Sequence, residues 1–340
     1  MTERPVRESG VWLGGSEEQT IALVLPDMIG TTVCAMPAVN AIHAAFPSAR
    51  VRLFGFDPVS RFLCDEACGQ DLVLLHLERL AAELRQELGS PPDLAFDMLC
   101  TPESLGALAG AGAGQIVGWP DNAGHVTVPV PFPSTRQQLA VQDYLDFVLA
   151  VGAAAPLSTP RLTAAASTRQ QGDEWLARQG LGPDETLFVL GIGGGNVRKR
   201  WPLERFLELE QHLLQRGRSV FFLGPREAEL AQGLHGLPGR HLVAASLPLD
   251  LAKGIIARAR LAVCNDHAIM HLAAALGVPT VGIFLASDPR EWFPYPPPSS
   301  HVIGPPLDCR PCYSEECDDW ACNDPSLPDQ VRARVDDLLG

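Results

Sequence analysis

The chain has 340 residues, of which 46% are hydrophobic and 19% charged. That length suits two domains of about 100–200 residues each, and so large an apolar fraction excludes a disordered chain. A formal net charge of −14 excludes a nucleic-acid partner, because nucleic-acid phosphates require a basic face.

In chain order, short apolar runs at 21–26, 51–56, 72–77, 94–99 and 115–120 predict buried strands. Helices are predicted between them at 33–46, 58–64, 78–88 and 102–109, followed by one at 136–151. Uniformly apolar strands alternating with helices imply a parallel sheet covered on both faces. The second half repeats the plan, with strands at 186–193, 219–225, 241–246, 261–266 and 279–284 and helices near 202–216, 226–234, 249–259 and 267–276. The Ala/Pro/Thr-rich stretch that follows residue 151 reads as the linker. The fold class is therefore α/β, with two Rossmann-like, doubly wound parallel-sheet domains facing a cleft and ligands gathering beyond the carboxyl ends of the strands. The expected boundaries are 1–158, 159–325 and a C-terminal helix at 326–340 packing back on the N-terminal domain. Charge is uneven: residues 1–158 carry 18 Asp and Glu against 8 Arg and no Lys, a net of −10. No stretch reaches the ~18 uninterrupted apolar residues of a membrane-spanning helix. No secretory signal is visible, so nine cysteines point to the cytoplasm, where thiols stay reduced or bind metal.

Three junctions carry chemistry. The first strand ends in PDMIGTT, where Gly30 allows a positive φ or a close ligand approach and the next helix offers its N-terminal amides. The second, GIGGGNVRKRWP, sets Gly191 and Gly193–Gly195 after a strand, then Arg198, Lys199 and Arg200 before Trp201 and Pro202. Glycines let backbone N–H groups approach an oxyanion, and adjacent cations neutralise a diphosphate. The GxxxxGK[ST] spacing of a P-loop is absent. In the third, Asp266 closes a strand and HAIMHLAAAL opens a helix. His267 and His271 share one helical face, but the zinc-protease pattern HExxH is missing. His271 reads as a buried histidine behind the site.

The IGxxxxxxPA turn at 29–38, G…KRWP at 191–202, NDxxxMHLAAALGVPTVxIF at 265–284 and the trailing CxPC resemble glycosyltransferase family 9, the ADP-heptose heptosyltransferases. The resemblance covers roughly 21–325. It implies the GT-B fold, with the nucleotide-sugar donor on the C-terminal lobe. By the same resemblance Lys199 meets the donor phosphates, Gly194 and Gly195 line the phosphate loop, and Arg200 stands beside them. Leu247 lies near the adenine and Glu227 near the ribose. Asp266–His267–Ala268 takes the place of the family's D-T-G. The family usually reads IGD, whose aspartate is the general base. Here that position is Thr31, whose hydroxyl cannot accept a proton at neutral pH, so Asp27, the acid of the same turn, is expected to supply the base.

The implied reaction is an inverting displacement at the anomeric carbon, with no cofactor and no catalytic divalent ion. The donor is a nucleotide diphosphate sugar, ADP-heptose first, and the acceptor a glycan, small molecule or protein. Two other readings stand beside it: a catalytically impaired nucleotide-sugar-binding or scaffold protein, because of Thr31, and a sugar epimerase. Cys309, Cys312, Cys317 and Cys322 are spaced for a structural Zn or Fe site, with free thiols and disulfides as alternatives. Relatives that glycosylate autotransporters look similar there, with iron held by four cysteines. Cys34, Cys64, Cys68, Cys100 and Cys264 read as small core residues. Trp292, Phe293 and Tyr295 are candidates to stack on a sugar or to brace the fold.

Overall fold

A computed structural model describes residues 19–66, 71–132, 138–235, 237, 241–312, 317 and 320–340. The chain divides into two compact units between Pro160 and Arg161.

In the first unit, β1 (Thr20–Val24), β2 (Arg50–Phe56), β3 (Leu72–Leu75), β4 (Leu94–Asp97), β5 (Gln115–Gly118) and β6 (Val128–Pro129) form one sheet in the order β3-β2-β1-β4-β5-β6. Every pairing is parallel. Helices α1 (Ile29–Ala45), α2 (Leu80–Leu88), α3 (Pro102–Gly110) and α4 (Ala140–Ala150) cover it. The order reverses between β1 and β4, which makes their carboxyl ends the switch point where ligands of such sheets gather. The strands are apolar because both sheet faces are buried: Ala22, Val24, Phe54, Phe56 and Ala95 share one cluster with Leu84 and Leu108 of the helices.

The second unit holds α5 (Ala166–Arg178), β7 (Leu187–Gly191), α6 (Leu203–Leu213), β8 (Arg218–Leu223), α7 (Ala228–His235), β9 (Leu242–Ala245), α8 (Leu249–Ile256), β10 (Leu261–Asn265), α9 (Ala268–Ala275), β11 (Thr280–Phe284), α10 (Pro289–Trp292), β12 (Ser300–Ile303) and α11 (Leu327–Leu339). Its parallel sheet runs β12-β11-β10-β7-β8-β9, with the switch point between β7 and β10.

All ten predicted strands are present, and the doubly wound class is as expected. The edge strands β6 and β12 had no sequence signal, since one is two residues long and the other buries only Val302. Helix α5 also went unseen, because its sequence ASTRQQGDEWLAR buries only Thr168, Gly172 and Leu176. The segment expected as helix 58–64 forms only a short 3-10 turn, Arg61–Leu63. The closing helix packs on the second unit. Leu327, Val331 and Val335 of α11 are fully buried in the second unit's own core with Phe206, Val263 and Val281, so the apolar face of α11 is used there.

Candidate functional site

In the first unit, β1 runs into Pro26, Asp27 and Met28 before α1 begins. Asp27 is half-buried, whereas Met28 is 60% exposed. Gly30 lies in the first turn of α1 without a positive φ. Thr31 Oγ1 donates to the Met28 carbonyl at 2.9 Å and shares a side-chain hydrogen bond with Tyr144. Its proton is committed to the backbone, consistent with a hydroxyl that closes a helix turn rather than one that removes protons. The neighbouring switch-point strand ends in Asp97, which sequence reasoning passed over. Asp97 Oδ1 accepts from the amides of Leu99 and Cys100 at 3.1 and 2.9 Å and bends the chain after β4. Its burial is complete and pushes its carboxyl up to about 6.

The second unit gathers the other candidates at the carboxyl ends of β7, β8, β9 and β10. Lys199, from the loop after β7, places Nζ 2.7 Å from Oδ2 of Asp266, just past β10. The pair therefore bridges the switch point. Beside it, Glu227 ties the glycine loop down: Oε1 accepts from the Gly194 amide at 3.3 Å and from Arg200 at 3.1 Å, and Oε2 from the Gly224 amide at 2.8 Å. Arg200 completes the knot by donating to the Gly194 carbonyl. Gly195 faces open space, and Leu247 follows β9 one residue after Ser246, which has φ +53°.

The three adjacent cations do not converge. Arg200 is engaged by Glu227, and the Arg198 guanidinium lies 6.0 Å over the Trp320 ring, which leaves Lys199 alone beside Asp266. Nor do the glycines supply positive φ angles; they supply close approach. A side chain at Gly191 would meet Cys264 Sγ at 2.7 Å and His267 Nε2 at 2.9 Å.

Asp266–His267–Ala268 stands where the family has D-T-G, and the structure gives His267 a capping role there. His267 is the N-cap of α9, and its Nδ1 accepts from the Ile269 amide at 3.2 Å, the task a threonine hydroxyl performs. Burial lowers its pKa, opposed by a hydrogen bond at the Gly191 backbone. His271 is buried as expected and is pushed down to about 4, with Nδ1 at 3.0 Å from the Tyr295 hydroxyl. Phe293 and Tyr295 are core residues packed edge to face. Only Trp292 reaches the site, with its ring 5.9 Å from Lys199 Nζ.

Asn265 is the residue sequence reasoning missed here. Fully buried at the end of β10, it accepts from the Trp201 amide at 2.9 Å and donates to the carbonyls of Ile192 at 2.8 Å and Gly193 at 3.2 Å. One amide side chain thus fixes both ends of the loop that carries Lys199.

Cys309, Cys312, Cys317 and Cys322 line one cavity of about 190 Å³. They do not fit a metal ion as placed: among the described residues no three His, Cys, Asp or Glu side chains could hold one together. Arg310 lines the same cavity and adds a positive charge that acts on Cys309 and Cys322. Arg310 is fixed there by the carbonyls of Leu285 and Gly304, and the Cys312 amide by that of Ala286. No disulfide joins the eight described cysteines. Cys34 and Cys264 are buried, Cys100 is half-buried, Cys64 is exposed, and Cys68 lies outside the described residues.

The chain was compared with known proteins. It is 34% identical over 158 residues to lipopolysaccharide heptosyltransferase 1 of Pseudomonas aeruginosa, a stretch that covers 43% of this chain and 42% of that protein. The aligned part thus spans less than half of that curated relative. Among solved structures, a family 9 glycosyltransferase from Veillonella parvula superposes with a TM-score of 0.80 at 18% identity, covering 94% of this chain and 97% of that one. The Escherichia coli ADP-heptose lipopolysaccharide heptosyltransferase II gives 0.78 at 20% identity, covering 94% and 98%. At such identities these two establish the fold. Residues 105–320 match the family described as glycosyltransferase family 9 (heptosyltransferase). Because that match takes in well over half of the chain, the protein belongs to glycosyltransferase family 9.

Proposed function

We propose that the chain is an inverting glycosyltransferase that moves a heptose from ADP-heptose to an acceptor hydroxyl. The observation that carries this reading is the Lys199–Asp266 pair at 2.7 Å across the second sheet's switch point. Without donor, each partner offsets the other's charge in a site where Asp266 is 5% exposed. A diphosphate arriving there draws Lys199 into a three-way contact, and the amides that open α9 add the positive end of a helix. Gly194, Gly195 and Arg200 frame the phosphates, with Glu227 on the ribose and Leu247 on the adenine. His267, Ala268 and His271 hold the helix end in place.

In the reaction the acceptor oxygen forms a bond to the anomeric carbon while the bond from that carbon to the phosphate oxygen breaks. The acceptor proton passes to the Asp27 carboxylate, and ADP leaves with its new charge beside Lys199. Thr31 orders the turn through Met28. These steps need no divalent ion. Among the described residues no helix is long and apolar enough to cross a membrane, and the sequence expectation of a cytoplasmic enzyme stands with this reading.

Release of ADP from ADP-heptose, measured with acceptor glycans in EDTA, tests it. Asp27→Asn should remove turnover by about 10²-fold or more while leaving ADP affinity intact. Full turnover in Asp27→Asn would take Asp27 out of the mechanism. Donor binding without turnover in the parent protein would favour the impaired scaffold reading, which Thr31 Oγ1 bonding to its own helix supports.

A further inference from the structure

The flexible four-carbon stem of Lys199 leaves its ammonium free to swing. The hydrogen bond to Asp266 Oδ2 at 2.7 Å engages one of its three donors. A second contact comes from Trp292, whose ring centroid lies 5.9 Å from Nζ, inside the ~6 Å reach of a cation–π interaction. The Lys199 side chain is only 20% exposed, and shielding from water strengthens such a contact. The indole is itself braced. It closes α10, where Asp288 accepts from the Arg290 amide at 2.8 Å and the Trp292 amide donates to the Asp288 carbonyl at 3.2 Å. Phe293, the next residue, is buried edge to face against Phe284 and Tyr295. From α9, His271 meets the indole edge to face with ring centroids 6.3 Å apart. Burial pushes His271 down to about 4, so at neutral pH its imidazole is uncharged and does not repel the ammonium. Packing alone does not call for an indole here. Among the described residues its buried N–H has no partner, a cost that phenylalanine would avoid. What tryptophan adds is the strongest cation-binding face of any side chain.

We propose that Trp292 is a positioning residue for Lys199: its indole face holds the ammonium beside Asp266 before the donor arrives. This rests on the reading that Lys199 meets the donor phosphates. The two partners of the lysine do different work. Asp266 takes a hydrogen of the ammonium and competes with an incoming diphosphate for it. A ring face attracts the cation without taking a hydrogen, so those donors stay available to phosphate oxygens. A side chain already in place also loses less freedom when the ligand binds. Trp292 thus acts through the lysine, from an element that follows β11 rather than β7.

Calorimetric titration of ADP into the full chain reads this role. Trp292→Leu should weaken binding by about fivefold or more, and Trp292→Phe, which keeps an aromatic face, should hold it within about twofold. In a Lys199→Met background Trp292→Leu should change affinity by less than about twofold, because the ring then has no cation to hold. An equal loss in both backgrounds means that the ring touches the nucleotide or merely supports the fold, and it overturns the proposal. Unchanged binding in Trp292→Leu does the same, as does a Trp292→Phe loss equal to that of Trp292→Leu, which assigns the effect to the indole N–H. Trp292→Met replaces the leucine variant should that one fail to fold. Where Lys199→Met binds too weakly to titrate, the contrast between the aromatic and aliphatic variants decides. Undiminished ADP binding in Lys199→Met refutes the diphosphate reading itself. Diminished binding there, with a Trp292→Leu effect independent of the lysine, refutes only the positioning role.

Discussion

Replacing Asn265 with alanine removes three hydrogen bonds from a position with no solvent exposure. The Trp201 amide is then a buried donor without a partner, at a cost of about 1–3 kcal/mol, and the carbonyls of Ile192 and Gly193 lose about 0.5–1 kcal/mol each. The sum is about 3 kcal/mol. For a unit of this size that lowers the melting temperature by about 6–12 °C. Asn265→Asp separates hydrogen bonding from volume. The carboxylate can still accept from Trp201, but it turns a negative oxygen toward two carbonyls, so it must melt below the alanine variant. Differential scanning calorimetry reads both transitions. If Asn265→Ala melts within about 2 °C of the parent, or Asn265→Asp melts above Asn265→Ala, the clamp does not exist as described.

Helices α5 and α8 touch backbone to backbone: a side chain at Gly254 would lie 2.1 Å from the Thr168 carbonyl oxygen. Gly254→Ala should therefore cost about 1–3 kcal/mol in urea unfolding, and a neutral outcome would refute the contact. Asp97 supplies a pH dependence. Its folded-state pKa of about 6 lies above the ordinary 3.8, so the folded chain binds more protons between those values and stability falls as pH rises from about 4 to 6. The full effect is about 3 kcal/mol. Asp97→Asn should flatten that slope in melting curves taken across the range; an unchanged slope assigns it to other groups.

Much of this architecture was legible because buried parallel strands are apolar on both faces, and runs such as IALVLP and LAVCND announce themselves. What stayed hidden was governed by tertiary partners. Asp97 and Asn265 each end a strand at a switch point, and their signal was a polar residue closing an apolar run. The runs drew notice while these two polar residues within them did not. Asp266 was found through its motif, whereas Asn265 beside it fixes the loop through partners 64 to 73 residues away. The capping role of His267 stayed hidden because a sequence does not display an imidazole nitrogen capping a helix. The cations at 198–200 read as one patch, although neighbouring side chains on a tight 3-10 turn diverge. The cysteine spacing suggested a metal, but it could not reveal that Arg310 lines the same cavity as the thiols.

The central claim is that a diphosphate meets Lys199 and not Arg198. Calorimetric titration of ADP into the parent protein, Lys199→Met and Arg198→Met tests it most directly. Binding should weaken by about tenfold or more in Lys199→Met and hold within about twofold in Arg198→Met, whose guanidinium faces Trp320. Equal loss in both variants, or undiminished affinity in Lys199→Met, would contradict the account.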